Sequence, residues 1–319
     1  MVNAKIQLNL FIRILLLLLI FFISIFLGSL YLEGDQSSYI FTYEGLKGKG
    51  IVEAYIFYVF YLSSPEFIHF LLSWISSNLG FNKLFIMSLS NVFLSYLIIK
   101  LFDRLKVNFA ITSIFLLSNF YLFVLFFAAE RLKFGFIFFL ISIIYSKRLL
   151  PFFAFLSIIS HLQMALVYSG RIFQIILNYL INFLGTLKIN YKNPLPLFLA
   201  FISILYFNLL QENILMKFEA YNDTEVILDF IRLGIFFIIS LAYTTNYRDN
   251  ITIFFPLVIS IFLFGDERVN MIGYVYCLYY LLSYKNGVNV GMIALTVYLL
   301  YSNILFIQKI IQYGNGFAS

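Results

Sequence analysis

The sequence predicts an all-α polytopic membrane protein, and three observations carry that class. The chain is 62% hydrophobic and only 11% charged, with a mean hydropathy of +0.96. Its apolar residues fall in continuous runs, most of them approaching the roughly 20 residues of a bilayer-crossing helix. Those runs do not alternate with polar residues, which argues against a β-barrel, whose strands face lipid and lumen in turn. Spans of that length joined by short loops divide residues 1–319 into about eleven helices, in a range of about ten to twelve, forming a single transmembrane domain.

The first run, Leu10 to Leu30, follows Lys5 and Arg13. It carries the charge of a signal peptide but no small-residue cleavage site, so it reads as a retained span entered from the cytoplasm. A polar stretch from Tyr31 to Ala54 comes next, with Glu33, Asp35, Glu44, Lys47, Lys49 and Glu53. Ile56 to Leu62 is apolar but short. Ser63-Ser64-Pro65-Glu66 then reads as a helix start, with Ser64 capping, Pro65 at the first position and Glu66 in the first turn. The helix expected from Pro65 to Leu79 is short and bears His69, Ser73, Ser76, Ser77 and Asn78. It is read as interfacial or re-entrant rather than spanning. Residues 31–83 become the first extracytoplasmic loop.

The remaining spans are expected at Leu84 to Leu101, Phe109 to Phe127, Phe134 to Tyr145, Leu149 to Tyr168, Ile172 to Leu187 and Leu195 to Leu210. After a second sizeable extracytoplasmic loop at 211–225, four more follow: Val226 to Tyr243, Ile251 to Phe264, Met271 to Leu282 and Val290 to Ile307.

Charge sets the orientation. If Pro65 to Leu79 does not cross, the cytoplasmic side receives Lys5, Arg13, Lys100, Arg104, Lys106, Lys147, Arg148, Lys188, Lys192, Arg248 and Lys285, with only Asp103 and Asp249 as acids. The acid-free loops at Lys147-Arg148 and Lys188 to Lys192 fall inside, as the positive-inside rule requires. The C-terminus then lies outside. The same bias accounts for the net charge of +6 without nucleic acid. The lone Cys277 allows neither an internal disulfide nor a metal-ligand spacing, and no metal or other cofactor is called for. No internal repeat marks an inverted-repeat transporter.

In this topology the polar candidates converge on the extracytoplasmic face. Arg131 and Lys133 open a span beside Glu130. An Arg fork and a Lys point charge suit phosphate, whereas the plainer reading is snorkelling at a helix end with Glu130 as a local partner. Arg268, in Gly265-Asp266-Glu267-Arg268, is a second candidate cation, or else one member of a solvated turn. His161 lies in an otherwise apolar helix and suits proton transfer, or else is a buried neutral histidine. His69 is a weaker candidate of the same kind. Glu33 and Asp35, directly after the first span, are candidate bases, or solvated loop acids.

In order and spacing these features resemble the EpsG and Wzy-like family of bacterial polysaccharide polymerases. The features are Gly34-Asp35 with Tyr39 and Phe41, Pro65-Glu66 through Asn82, Arg131 with Gly135, Lys147-Arg148 with His161, and Arg268 before Tyr274, Tyr276, Tyr279 and Tyr280. The chain departs from the family pattern at Leu132 and Lys133, where Gln and Ala are usual. The resemblance implies a GT-C-like arrangement of helices in the bacterial cytoplasmic membrane. It implies an enzyme that joins oligosaccharide repeat units carried on undecaprenyl diphosphate outside that membrane, for O-antigen, capsule or exopolysaccharide. Arg131, Lys133, Arg268 and Glu130 would bind substrate, and Asp35, Glu33 or His161 would act in catalysis. A chain-length regulator and a flippase would be its partners. Two other readings stay open: a membrane enzyme transferring a single sugar or an acyl group, and a flippase or transporter of lipid-linked sugars.

Overall fold

A computed structural model describes residues 2–145, 148–186, 225–264 and 267–317, and every regular element among them is helical. The expected span Leu195 to Leu210, residues 211–224 of the expected loop at 211–225, Lys147 and Asp266 lie outside the described residues. The chain divides into two units, Met1–Met164 with Lys285–Ser319, and Ala165–Tyr284.

The first unit begins with α1 (Val2–Leu30), whose apolar stretch Leu10–Leu30 coincides with the expected first span. The polar stretch after it is not all loop. α2 (Asp35–Gly45) forms inside it, burying Gln36, Tyr39, Thr42 and Tyr43 on one face and leaving Asp35 exposed. Then come α3 (Ile51–Leu62) and α4 (Phe67–Asn78), bent from one another by 119°. The expected capping by Ser64 is not formed: Ser63 closes α3 with φ 48°, Ser64 and Pro65 belong to the connection, and Glu66 takes the N-cap position without a capping bond. The Glu66 carboxylate is drawn away to other partners, described below.

The two free ends of this bent pair meet. Trp74 Nε1 donates to Lys49 O at 2.9 Å, Gly48 N–H to Asn78 Oδ1 at 2.9 Å, and Ser77 Oγ to Tyr43 O at 2.8 Å. A core of Leu46, Ala54, Tyr58 and Phe70 fills the angle between them.

α5 (Lys83–Arg104) starts at Asn82, whose side chain accepts from Leu84 N–H, a sound N-cap. It runs the length of α1, and Arg13 meets Asp103 in a bidentate pair at 2.7 and 2.8 Å. The span expected from Phe109 to Phe127 is instead two helices, α6 (Phe109–Ser118) and α7 (Phe120–Phe127), bent by 54°. The cause is Asn119. Its side chain accepts from Leu122 N–H and so starts a new helix inside an apolar run.

α8 (Glu130–Ile144) and α9 (Leu150–Ser160) pack closely. Ser157 Oγ donates to Gly135 O at 2.8 Å, and a Cβ on Gly135 would lie 2.5 Å from Met164 Cγ. His161 ends α9 in an extended conformation, so it is not inside a continuous helix as expected. The next helix, α10 (Met164–Thr186), runs through the predicted break near residue 170. The interruption falls at His161 because its side chain, like that of Glu66, is engaged away from its own helix.

The second unit holds most of α10 with α11 (Glu225–Tyr243), α12 (Tyr247–Phe264) and α13 (Glu267–Ser283). α10 and α12 approach to backbone contact at Gly170, where a Cβ would lie 2.8 Å from Ile253 Cα. After the short 3-10 turn Lys285–Gly287, α14 (Val290–Tyr313) returns to the first unit. Its last turn meets the exit of α1: Leu32 and Glu33 N–H groups both donate to Gly314 O, at 3.1 and 2.9 Å.

Among the described residues four stretches are long and apolar enough to cross a membrane: Leu10–Leu30, Lys83–Arg104, Met164–Phe183 and Val290–Tyr313. The two bent pairs raise that number to six if each is one span. Among the described residues the protein is thus all-helical, with several helices of membrane-spanning length and composition, as a membrane protein has.

Candidate active site

α7 ends and α8 begins at Ala128-Ala129, which frees backbone carbonyls that a continuous helix would have consumed. In an apolar bundle such groups need partners. Gln36 Nε2 donates to Phe127 O, and Asn91 Nδ2 lies 3.4 Å from Phe126 O. The break therefore draws in polar side chains from α2 and α5, and a charged cluster is built on it.

Glu130, 3% exposed, sits in the first turn of α8, where the helix dipole favours an acid. Its Oε1 accepts from Lys83 Nζ at 2.9 Å and from Gln36 Nε2 at 2.8 Å, while Lys83 also donates to Gln36 Oε1 at 2.8 Å. Its Oε2 lies 3.7 Å from His69 Nε2. The other ring nitrogen, His69 Nδ1, is 2.9 Å from Tyr58 OH. With the tyrosine donating, the histidine proton is on Nε2 and faces the carboxylate.

Glu66, 7% exposed at the vertex of the α3–α4 pair, makes a second group. Its Oε2 is 3.0 Å from Arg131 Nη1 and its Oε1 is 3.0 Å from His161 Nδ1. Arg131 Nε donates to Tyr39 OH at 3.1 Å, and the guanidinium lies 5.7 Å from that ring's centre. Burial raises the Tyr39 hydroxyl to about 12, which keeps it protonated. The two groups adjoin, since Tyr39 and His69 rings are 5.7 Å apart.

Lys133, with 0% exposure, points one way further. Its Nζ is 2.7 Å from Asn91 Oδ1 and 4.0 Å from Met87 Sδ, and Asn91 Nδ2 donates to Ser24 Oγ at 3.2 Å. A cavity of about 430 Å³ opens beside the cluster, with Gln36, Lys83 and Glu130 on its wall and Asn91 at its floor.

Of the residues the sequence singled out, the structure joins Glu130, Arg131, Lys133 and His161 in this one region. It does not give Glu130 the local partners expected. Arg131 pairs with Glu66, and Glu130 pairs with Lys83, because residues 130, 131 and 133 leave the first turn of α8 in different directions. They also lie deeper along the bundle than the start of α5. α5 has 22 residues and α8 15, and Arg104 donates to Ile143 O near their shared far end. At 1.5 Å per residue, Glu130 then lies about 10 Å below the start of α5. Asp35 and Glu33 are exposed and form no ion pair among the described residues. Arg268 stands in the first turn of α13, in the other unit.

Sequence reasoning passed over Lys83 and undervalued His69, and it read Glu66 only as a helix-start residue. The signal was the Pro65-Glu66 pair between two apolar runs, too short for a loop that needs a carboxylate for solubility. The chain matches no protein-family model, no characterised protein and no solved structure in the comparisons made.

Proposed function

We propose that this chain is a membrane glycosyltransferase that polymerises undecaprenyl-diphosphate-linked repeat units at the extracytoplasmic face of a bacterial cytoplasmic membrane. It would belong with the EpsG and Wzy-like polymerases, in a GT-C-like arrangement of about eleven spans in which the shorter helices complete the count. The observation that carries the reading is the buried constellation of two glutamates, two histidines, Arg131 and two lysines next to a polar cavity. Charges at such depth are costly and mark functional sites.

The α3–α4 pair supports the orientation. Its free ends are hydrogen-bonded to each other, which supports reading it as a hairpin that enters and returns on one side. In the non-helical connection between them the Ser64 and Glu66 side chains are buried, while Ser63 and Pro65 are exposed.

In the reaction an acceptor hydroxyl attacks the anomeric carbon of the donor chain, and the bond to the lipid diphosphate breaks. His161, held by the Glu66 carboxylate through Nδ1, presents Nε2 to take the hydroxyl proton. Arg131 keeps donors beyond those spent on Tyr39 and Glu66 and offers them to the leaving diphosphate. Asp35 and Glu33, exposed at the same end, attract or orient the acceptor.

A second reading has one specific observation in its favour. Tyr58, His69, Glu130 and Lys83 form a buried chain of the kind that relays protons in transporters. One experiment separates the two. In a strain lacking the gene, the polymerase reading expects loss of the surface-polysaccharide ladder with single repeat units exposed outside. Repeat units retained on the cytoplasmic leaflet would establish transport instead, and an unchanged ladder would reject both.

A further inference from the structure

The cavity beside the charged cluster has a chemistry that the transfer reaction does not use. It lies wholly in the first unit, and its volume of about 430 Å³ is in the range of pockets that enclose small organic molecules. Glu44 and Lys47 are also among its lining residues. Its floor is formed by Met87, Ser88 and Asn91, about 6 to 12 Å along α5 from Lys83.

Three observations concern that floor. Ser88 Oγ is buried, lines the cavity and has no hydrogen-bond partner among the described residues, an arrangement that protein interiors avoid. The Lys133 ammonium lies directly behind the floor, against Asn91 Oδ1 and Met87 Sδ. Its only oxygen partner among the described residues is the neutral Asn91. Finally, the cluster holds Lys83, Arg131 and Lys133 against Glu66 and Glu130, so with Lys133 protonated and both histidines neutral it is one positive charge in excess. A buried charge without its opposite is expensive.

We infer that this cavity binds one monoanionic sugar residue of the substrate, a pyranose bearing a carboxylate. The inference rests on the glycosyl-transfer reading. The carboxylate supplies the single negative charge that the cluster lacks and sits at the floor in the field of Lys133. Ring hydroxyls meet Ser88 Oγ and the third donor of Lys83, whose other two go to Gln36 and Glu130. Phe81 and Phe127 give the ring its apolar faces. A diphosphate fits less well, because its charge exceeds the one unmatched cation and would lie against Glu130.

The test is equilibrium binding to the purified full-length protein in lipid nanodiscs, with methyl glucuronoside and methyl glucoside as probes. The glucuronoside is expected to bind about tenfold more tightly or better, the gain of a charge-assisted contact. Lys133→Met should abolish the preference and Ser88→Leu should block both probes. Equal binding of the two glycosides by the unmodified protein, no binding of the glucuronoside, or its displacement by an equal concentration of inorganic phosphate would each overturn the proposal, whether or not the variants fold. Polysaccharide ladders report separately. Loss of the ladder on gene deletion without a glucuronoside preference leaves the transferase reading standing and removes this one. The preference with an unchanged ladder keeps the cavity as a carboxylate-sugar site and removes its assignment to a polymerase substrate.

Discussion

Glu66 and Arg131 face each other at 3.0 Å, one at the vertex of a bent helix pair and the other in the first turn of α8. A cation at a helix N-terminus is opposed by the dipole, so Arg131 is held there by its partner and not by its own helix. Removing one member of a buried pair strands the other, at about 3–5 kcal/mol. Arg131→Ala should therefore lower the unfolding temperature in detergent and abolish polymer. The double variant Glu66→Gln with Arg131→Gln should recover stability but not polymer. Equal stability of the single and double variants would show that the two charges are not coupled.

The Tyr58 and His69 contact can be read by a double-mutant cycle, which subtracts what each residue contributes to its other neighbours. Tyr58→Phe and His69→Phe should each destabilise the protein, and together by less than their sum, by about 1 kcal/mol for one neutral hydrogen bond. Strict additivity in chemical unfolding would mean that the contact at 2.9 Å carries no energy.

Two glycines give opposite expectations. Gly170→Ala places a methyl 2.8 Å from the Ile253 backbone, which cannot turn aside, and should cost about 1–3 kcal/mol as overpacking. Gly234 in α11 faces open space, so Gly234→Ala should stabilise by up to about 1 kcal/mol through helix propensity. Thermal melts of the two variants should move in opposite directions.

The bent α3–α4 pair makes a topological prediction under the proposed orientation. In a Cys277→Ser background, cysteines placed by Lys47→Cys, Phe81→Cys and Gln312→Cys should all react with a membrane-impermeant thiol reagent from outside intact cells. Residues 47 and 81 flank the hairpin, and α14 ends beside the exit of α1. Opposite labelling of 47 and 81 would make α3 and α4 a true crossing.

Much of this architecture was legible in the sequence. Long apolar runs at α1, α5 and α14 need no partner to be recognised, because the bilayer rather than a neighbouring helix sets their length. The breaks were harder. Asn119 and His161 interrupt apolar runs, and hydropathy counts each as one polar residue in a tolerant window. What breaks the helix is where the side chain is satisfied, by Leu122 N–H in one case and by Glu66 in the other. The site shows the same limit. Glu130, Arg131 and Lys133 stood out as charges, but their partners Lys83, Glu66 and Asn91 come from α5 and from the hairpin vertex. Local spacing favours neighbours three or four apart, and none of these pairs is local.

The bonds from Leu32 and Glu33 to Gly314 join the start of the chain to its last helix. During synthesis the ribosome delivers α14 only after the whole of α10 to α13 has been made. Until then α1 keeps two exposed amide donors and a face that α14 will cover. The charged unit therefore closes last, although most of it is made first. A nascent chain must hold its buried glutamates and lysines in an open bundle while the second unit inserts, which gives membrane quality control a window in which to recognise a chain that stops short.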